Sequence, residues 1–490
     1  AGCLLLLTLL TDLCRAGNET EGGGTTKMNL CALQQAVPDP SDLRMVCYCD
    51  VFSPESFDAT DVDCWVIGRI EPGDPVWGYF RDQQSVQVLR VHLRMDGQLT
   101  FLPSKAWRGL GKLRDLTISN ANISVVEGGS FLDMESVKKI SLRRNEFQVL
   151  QPEAFFNLPL LQVLDMGENK IERLEAGIFQ EMPTLKDLYL DRNEIQEVQD
   201  LSFQHLGALK ELDLWKNKIK ILTSKAFVGL RNLTRLDLRD NLIEFLNNFT
   251  FHDLESLETL NLMGNRVRFI DDDAFAGLAN LYELNLKDNK LINLGGEVFL
   301  TTPKLVSLDL RQNVLETLTE RTMAPLRSNL LKAFAGLELA GNNLLCDCRL
   351  SWVYELLTES ESSILNSSLS SIHCYLDPDY DNVIKKDGKH GYPVYETTTY
   401  VLGVQVTLLL IPKDRLPCPA LLGASTTRST EAVIGSDSTS PSTSPPGRGT
   451  EAPNPGASIM ESLANKTAST NFLQVILVCF MMSAVAFAQV

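Results

Sequence analysis

Histidine is scarce in this chain: five among 490 residues, at 92, 205, 252, 373 and 390, with no pair spaced H-x-x-x-H. Neither H-E-x-x-H, G-x-S-x-G nor a phosphate-cradling glycine loop occurs, so the common zinc, serine-nucleophile and nucleotide chemistries have no motif here. Positive charge is also in deficit. Lys and Arg number 45 against 62 Asp and Glu, a net charge of −17, which is the wrong sign for a nucleic-acid partner. Asp377, Asp379 and Asp381 alternate as in a calcium loop, but Asn382 stands at the turn glycine and Gly388 at the closing glutamate, so a solvated loop is the better reading. No catalytic, cofactor or metal residue is assigned, and no enzymatic activity is expected. Cysteine is missing from residues 65–345, so packing and hydrogen bonds alone must hold that stretch.

What fills that stretch is a repeat. Asparagines at 145, 169, 193, 217, 241, 265, 289 and 313 fall on a strict 24-residue grid, each ending a segment L-x-x-L-x-L-x-x-N-x-L. One copy reads Leu185, Leu188, Leu190, Asn193, Ile195. A period of this length marks a solenoid, in which each unit buries its apolar face against its neighbours. The x-L-x-L stretch alternates with the period of a half-buried strand, and stacked copies form one curved parallel sheet of the α/β repeat class. The asparagine closes each strand, where an amide can both donate to and accept from backbone left without sheet partners. Phe131, Phe155, Phe179, Phe203, Phe227, Phe251, Phe275 and Phe299 share the spacing, with Trp107 one unit earlier, and predict an aromatic spine behind the sheet. Degenerate copies at Leu89/Val91, Leu116/Ile118 and Leu337/Leu339, the last after a unit lengthened to 29 residues, bring the count to about eleven over residues 86–345. At about 4.8 Å per strand, the sheet should run roughly 50 Å.

The ends carry the remaining signals. Leu4 to Leu10 followed by Cys14-Arg15-Ala16-Gly17 reads as a secretory leader over 1–16, cut after Ala16. Of the 11 cysteines, eight form two sets of four that flank the repeats: Cys31, Cys47, Cys49, Cys64 and Cys346, Cys348, Cys374, Cys418. In a secreted chain such even sets read as disulfides; C-x-C spacing without paired histidines fits zinc poorly. They define caps over 28–85 and 346–418, which cover the apolar ends and sheet edges a solenoid would otherwise expose. Six N-x-S/T triplets, at Asn18, Asn122, Asn232, Asn248, Asn366 and Asn465, are candidate glycan sites. Residues 419–471 turn to Ser, Thr, Pro, Gly and Ala, a stalk that cannot build a core. Phe472 to Val490 is 19 residues without a charge. A membrane span would normally carry a basic cytoplasmic flank, and none follows. The stretch is therefore read as a GPI-attachment signal, with Gly456 the favoured attachment site and Ser462 and Asn465 as alternatives.

A cystine cap, 24-residue repeats and a second cap together resemble the extracellular leucine-rich-repeat family. The segment Asn342-Asn343-Leu344-Leu345-Cys346-Asp347-Cys348-Arg349-Leu350-Ser351-Trp352 is similar to the C-terminal flanking module of that family. The resemblance implies the pairs Cys346–Cys374, Cys348–Cys418, Cys31–Cys49 and Cys47–Cys64. Cys47-Tyr48-Cys49-Asp50, the segment Asp74-Pro75-Val76-Trp77-Gly78-Tyr79-Phe80, the lengthened last unit and Leu416-Pro417-Cys418-Pro419 look like the connectin group of arthropod adhesion proteins. That group implies a GPI-anchored protein of motor neurons and muscles, engaged in homophilic cell–cell contact.

On each strand the residue between the two leucines faces the concave side. Read along the solenoid, this row includes Asp165, Tyr189, Asp213, Asp237 and Asn261, with Trp215 and Arg239 beside it. The bland reading is a solvated face that keeps the solenoid soluble. The sharper one is a protein-binding surface with aromatic and arginine anchors, and mixed charge allows such a face to meet its own copy. The expectation is a cell-surface adhesion protein that binds an extracellular protein, foremost a copy of itself, and is held on the membrane by a lipid anchor. The rival is a GPI-anchored, ligand-binding co-receptor of the Nogo-receptor kind.

Overall fold

The computed structural model describes residues 29–36, 39–51, 56–376 and 404–418. The leader, Asn18, the alternating aspartates at 377–381, the stalk and the apolar tail, with Gly456, Ser462 and Asn465, lie outside the described residues.

A single sheet of 13 strands runs through the repeats. It begins with β1 (Met45–Cys49) and β2 (Asp61–Val66), paired antiparallel. Eleven strands then follow in parallel: β3 (Val88–Leu93), β4 (Asp115–Ser119), β5 (Lys139–Ser141), β6 (Val163–Asp165), β7 (Asp187–Tyr189), β8 (Glu211–Asp213), β9 (Arg235–Asp237), β10 (Thr259–Asn261), β11 (Glu283–Asn285), β12 (Ser307–Asp309) and β13 (Gly336–Glu338). Their register follows the period, Leu188 beside Leu212 and Leu212 beside Leu236. In β7 the middle leucine is buried and the residues on either side face outward. A one-residue slip would expose every such leucine, so the apolar row fixes the register.

Behind the sheet the phenylalanines stack. Phe131 and Phe155 lie with ring centroids 5.0 Å apart and Phe275 and Phe299 with 6.4 Å, while Trp107 continues the stack at 5.6 Å from Phe131. All eight phenylalanines are fully buried, each contributing ~1.5–3 kcal/mol of apolar burial. In the lengthened unit, short helices over Glu320–Met323 and Arg327–Leu330 bury Met323, Leu326 and Leu330. The extra residues are taken up in these helices while β13 keeps its register with β12.

The asparagine ladder is a hydrogen-bond relay. Asn193 Nδ2 donates to Met166 O in the previous repeat and Leu190 O in its own, both at 3.0 Å, while its Oδ1 accepts from Ile171 N at 3.0 Å. The residue before each ladder asparagine has positive φ: Arg144, Glu168, Arg192, Lys216, Asp240, Asp288 and Gln312, with glycine at 264. That conformation costs a non-glycine residue about 1 kcal/mol. The asparagine compensates, and the turned residue's N–H pairs with the next repeat, as Arg192 N does with Trp215 O at 2.7 Å. Backbone pairing thus continues beyond the regular strands.

Disulfides close both ends. Cys47 bonds Cys64 directly across β1 and β2, and Cys31–Cys49 ties the short helical segment at 30–36 to β1. At the other end Cys346–Cys374 and Cys348–Cys418 hold the helices Ser351–Glu359 and Ser363–Ser370 and an antiparallel pair, His373–Leu376 with Val404–Thr407, against the last repeats. Buried Trp352 donates its indole N–H to Leu318 O at 2.9 Å, locking this cap to the solenoid. Each disulfide stabilises such a small module by ~2–4 kcal/mol.

Candidate protein-binding face

Parallel pairing places Asp165, Tyr189, Asp213, Asp237 and Asn261 side by side at the ends of five successive strands, all half-buried on the outer side of the sheet. Most of the row has a structural duty that sequence reading missed. Asp165, Asp213, Asp237 and Asn261 each accept the backbone N–H two residues on, at 3.0, 2.8, 3.0 and 3.2 Å, and Asn285 and Asp309 do the same at 3.0 Å. An acid and an amide supply that oxygen equally well, which explains why the two interchange along the row. Tyr189 makes no such bond and projects from the row as its aromatic member.

Two residues further on, a parallel track carries Arg143, Gly167, Asp191, Trp215 and Arg239. Arg143 crosses a whole repeat to reach Asp191, its two terminal nitrogens 2.9 and 2.7 Å from the carboxylate. It also pairs with Asp165 at 3.2 Å and Glu168 at 3.1 Å. The crossing passes over Gly167, where a Cβ would run into Arg143 Nη1 and Asp191 Oδ1. Bonding to Asp191 raises the Arg143 guanidinium above its ordinary value, so it remains cationic. Asp191, Glu168 and Gly167 were absent from the sequence-derived set; the available signal was a glycine between an arginine and an aspartate on one 24-residue track.

The second cluster centres on Trp215. Arg192 lies 4.6 Å from its ring centre and Arg239 5.2 Å, while its indole N–H donates to Asp240 at 2.9 Å. Arg239 in turn forks onto Asp237, with Nε–Oδ2 at 2.8 Å and Nη2–Oδ2 at 2.6 Å. Cation–π contact of this kind contributes ~0.5–1 kcal/mol at exposed sites, and here it fixes the rotamers of three long side chains. Asp213 faces the cluster and enters no ion pair among the described residues. Burial pushes its carboxyl up to about 6, helped by Asp237 and Asp191 and opposed by the Trp215 N–H and by Arg239. Burial, with the surrounding carboxylates, also pushes the Tyr189 hydroxyl up to about 12, so it stays a neutral donor. Toward the N-terminal cap the face continues through Trp65, its ring tilted against His92 at 5.0 Å between centroids, and His92 Nδ1 lies 2.7 Å from Ser119 Oγ.

The candidate glycan sites differ in setting. Asn122, Asn232 and Asn248 are exposed. Asn366 is half-buried within the helix Ser363–Ser370, its Nδ2 held by Ser360 O at 3.0 Å. Among the described residues no cluster of His, Cys, Asp and Glu could hold a metal ion, and no helix is long and apolar enough to cross a membrane.

The leucine rich repeat family matches this chain at residues 135–195, 183–243, 231–291 and 279–344, which span β5 to β13. Residues 135–344 are leucine-rich repeats, and the fold is a leucine-rich-repeat solenoid. Connectin of Drosophila melanogaster is 41% identical to it over 64 residues, a stretch equal to 13% of this chain and 9% of connectin. The match thus spans less than a tenth of that curated relative. Among solved structures, a chain in the octameric complex of latrophilin 3, Unc5D and FLRT2 is 24% identical, with 68% of this chain and 91% of that one covered at a TM-score of 0.48. The Toll–Spätzle complex, a hub in Drosophila development and innate immunity, gives 21% identity, 61% and 46% coverage and a TM-score of 0.47. The clusters around Arg143 and Trp215 both lie inside the matched leucine-rich repeats, on strands that the ladder residues hold in register.

Proposed function

We propose that this leucine-rich-repeat protein acts at the cell surface as an adhesion protein, binding another extracellular protein, first of all a copy of itself, through the outer face of its long sheet. The observation that carries the reading is the pre-set cluster of Tyr189, Trp215, Arg192 and Arg239 beside carboxylates on adjacent strands. Tyr, Trp and Arg dominate the energetics of protein interfaces, and side chains already held in one rotamer lose little entropy on binding. Acid and base alternate over the same strands, so the face can meet a second copy across a two-fold axis. The resemblance to connectin supports the same reading and adds neuromuscular cell recognition and a GPI anchor as expectations.

Cell mixing tests this directly. Labelled cells expressing the protein are mixed with unlabelled, non-expressing cells. Self-binding predicts clusters of labelled cells alone, and charge reversal at Asp237 with Arg239 retained should weaken them. Mixed clusters would point instead to a different ligand on the other cell, the co-receptor reading. Release by a phosphatidylinositol-specific phospholipase tests the anchor; a protein that stays on the cell after treatment is not held by that lipid.

A further inference from the structure

The flank of the repeats carries a second surface that the outer sheet face does not use. Residues two beyond the ladder-closing aliphatic position are exposed and apolar in three successive repeats: Ile221 at 69% and Phe245 and Phe269 at 50% each. Phe245 and Phe269 are paired in register on adjacent short strands, so the row is continuous along the solenoid. A contiguous exposed apolar row rimmed by polar residues marks an interaction surface.

The charges around Phe269 are sorted by side. The chain runs Arg266-Val267-Arg268-Phe269-Ile270-Asp271-Asp272-Asp273. It is extended there, with Arg266, Arg268 and Asp271 donating backbone bonds to Ile243, Glu244 and Leu246 of the previous repeat. Cations therefore lie on one side of the aromatic row and carboxylates on the other. Arg266, Arg268, Asp272 and Asp273 are exposed, and none of them enters an ion pair among the described residues.

We infer that this flank binds a second copy of the chain about a two-fold axis that runs along the apolar row. Such an axis sets Phe269 against Phe269 of the second copy and Phe245 against Phe245. Because it reverses the chain direction, Arg266, three residues before the axis, meets Asp272, three residues after it, and each contact occurs twice. By the same rule Leu242 meets Asn248 and Lys218 meets Ser224 in the neighbouring repeats, so no like charges oppose. The two solenoids then lie side by side and point the same way, as two molecules on one membrane would. This contact is independent of the proposed binding by the outer sheet face, which remains open in both copies. Asn248 stands beside this row, at the position corresponding to Asp272 one repeat earlier. A glycan on Asn248 would therefore enter the contact and limit it.

The test uses the full chain on sparsely plated, non-touching cells. Phe269→Cys should give a covalent dimer on non-reducing gels, because a residue on the axis meets its own copy; Leu300→Cys, exposed elsewhere, should not. In the Phe269→Cys background, Arg266→Asp or Asp272→Arg alone should cut the dimer several-fold. Expressing the two charge variants together should restore it, since positions 266 and 272 are then both acidic in one copy and both basic in the other. The assay is run before and after enzymatic removal of N-glycans. A charge-dependent dimer in either condition supports the inference. No dimer in both, or a dimer indifferent to the reversals, overturns it. Cell clustering through the sheet face is scored separately, so either surface can fail alone.

Discussion

Replacing Asp213 by asparagine should stabilise the protein at neutral pH and do nothing at low pH. The carboxyl oxygen accepts the Trp215 N–H at 2.8 Å, and an amide oxygen can take over, as Asn261 and Asn285 already do in the equivalent places. The charge is what the substitution removes. Burial raises this group from 3.8 to about 6, with Asp237 and Asp191 adding to it. A rise of that size corresponds to ~3 kcal/mol, and the open side of the face reduces it by solvent screening to about 1 kcal/mol. The sign follows from proton linkage. Between about 4 and 6 the folded state holds more protons at this site than the unfolded one, so stability grows as pH falls through that window. The penalty is complete above about 6 and gone below about 4. Urea unfolding of wild type and Asp213→Asn at pH 7.5 and pH 4 should show a gap of ~1 kcal/mol in favour of the variant that closes at the lower pH. A gap that persists or widens on acidification would refute the assignment of the strain to this charge.

Three further outcomes are expected. Asn217→Ala should destabilise by about 3–5 kcal/mol, because it leaves the Ile195 N–H and the Leu190 and Leu214 carbonyls without their amide partner in the core; chemical denaturation checks it. Gly167→Ala should displace Arg143 from Asp191 and cost ~1–3 kcal/mol, and in an Asp191→Asn background most of that loss should disappear, which a double-mutant cycle would detect. Glycopeptide mass spectrometry should find Asn122, Asn232 and Asn248 more fully occupied than Asn366, whose amide is held inside a helix; the reverse order would mean that the C-terminal cap opens or folds late.

Much of this molecule could be read directly from its residues. Ladder leucines, asparagines and phenylalanines are periodic because every repeat solves the same packing problem, so a 24-residue period translates into one sheet, one spine and one amide relay. The cysteines were legible as two terminal sets for a similar reason: the repeats close themselves, and only their ends need staples. The row between the ladder leucines lies side by side on the sheet as its spacing implied, but its chemistry was not legible. Asp and Asn look like a free acidic stripe in one dimension, whereas in three they bond the backbone where each strand ends.

The sequence by itself determined the solenoid, its period and its caps, because local alternation and a fixed repeat leave the chain no other way to bury its leucines. Only the tertiary structure decided which polar side chains are held and by what. Arg143 finds Asp191 by reaching across 48 residues of chain, and it can do so because Gly167 leaves the path open. Trp215 becomes a fixed platform because arginines from the repeats on either side flank it. Contacts between repeats depend on side-chain reach and on neighbours brought close by stacking, and neither is written into the period.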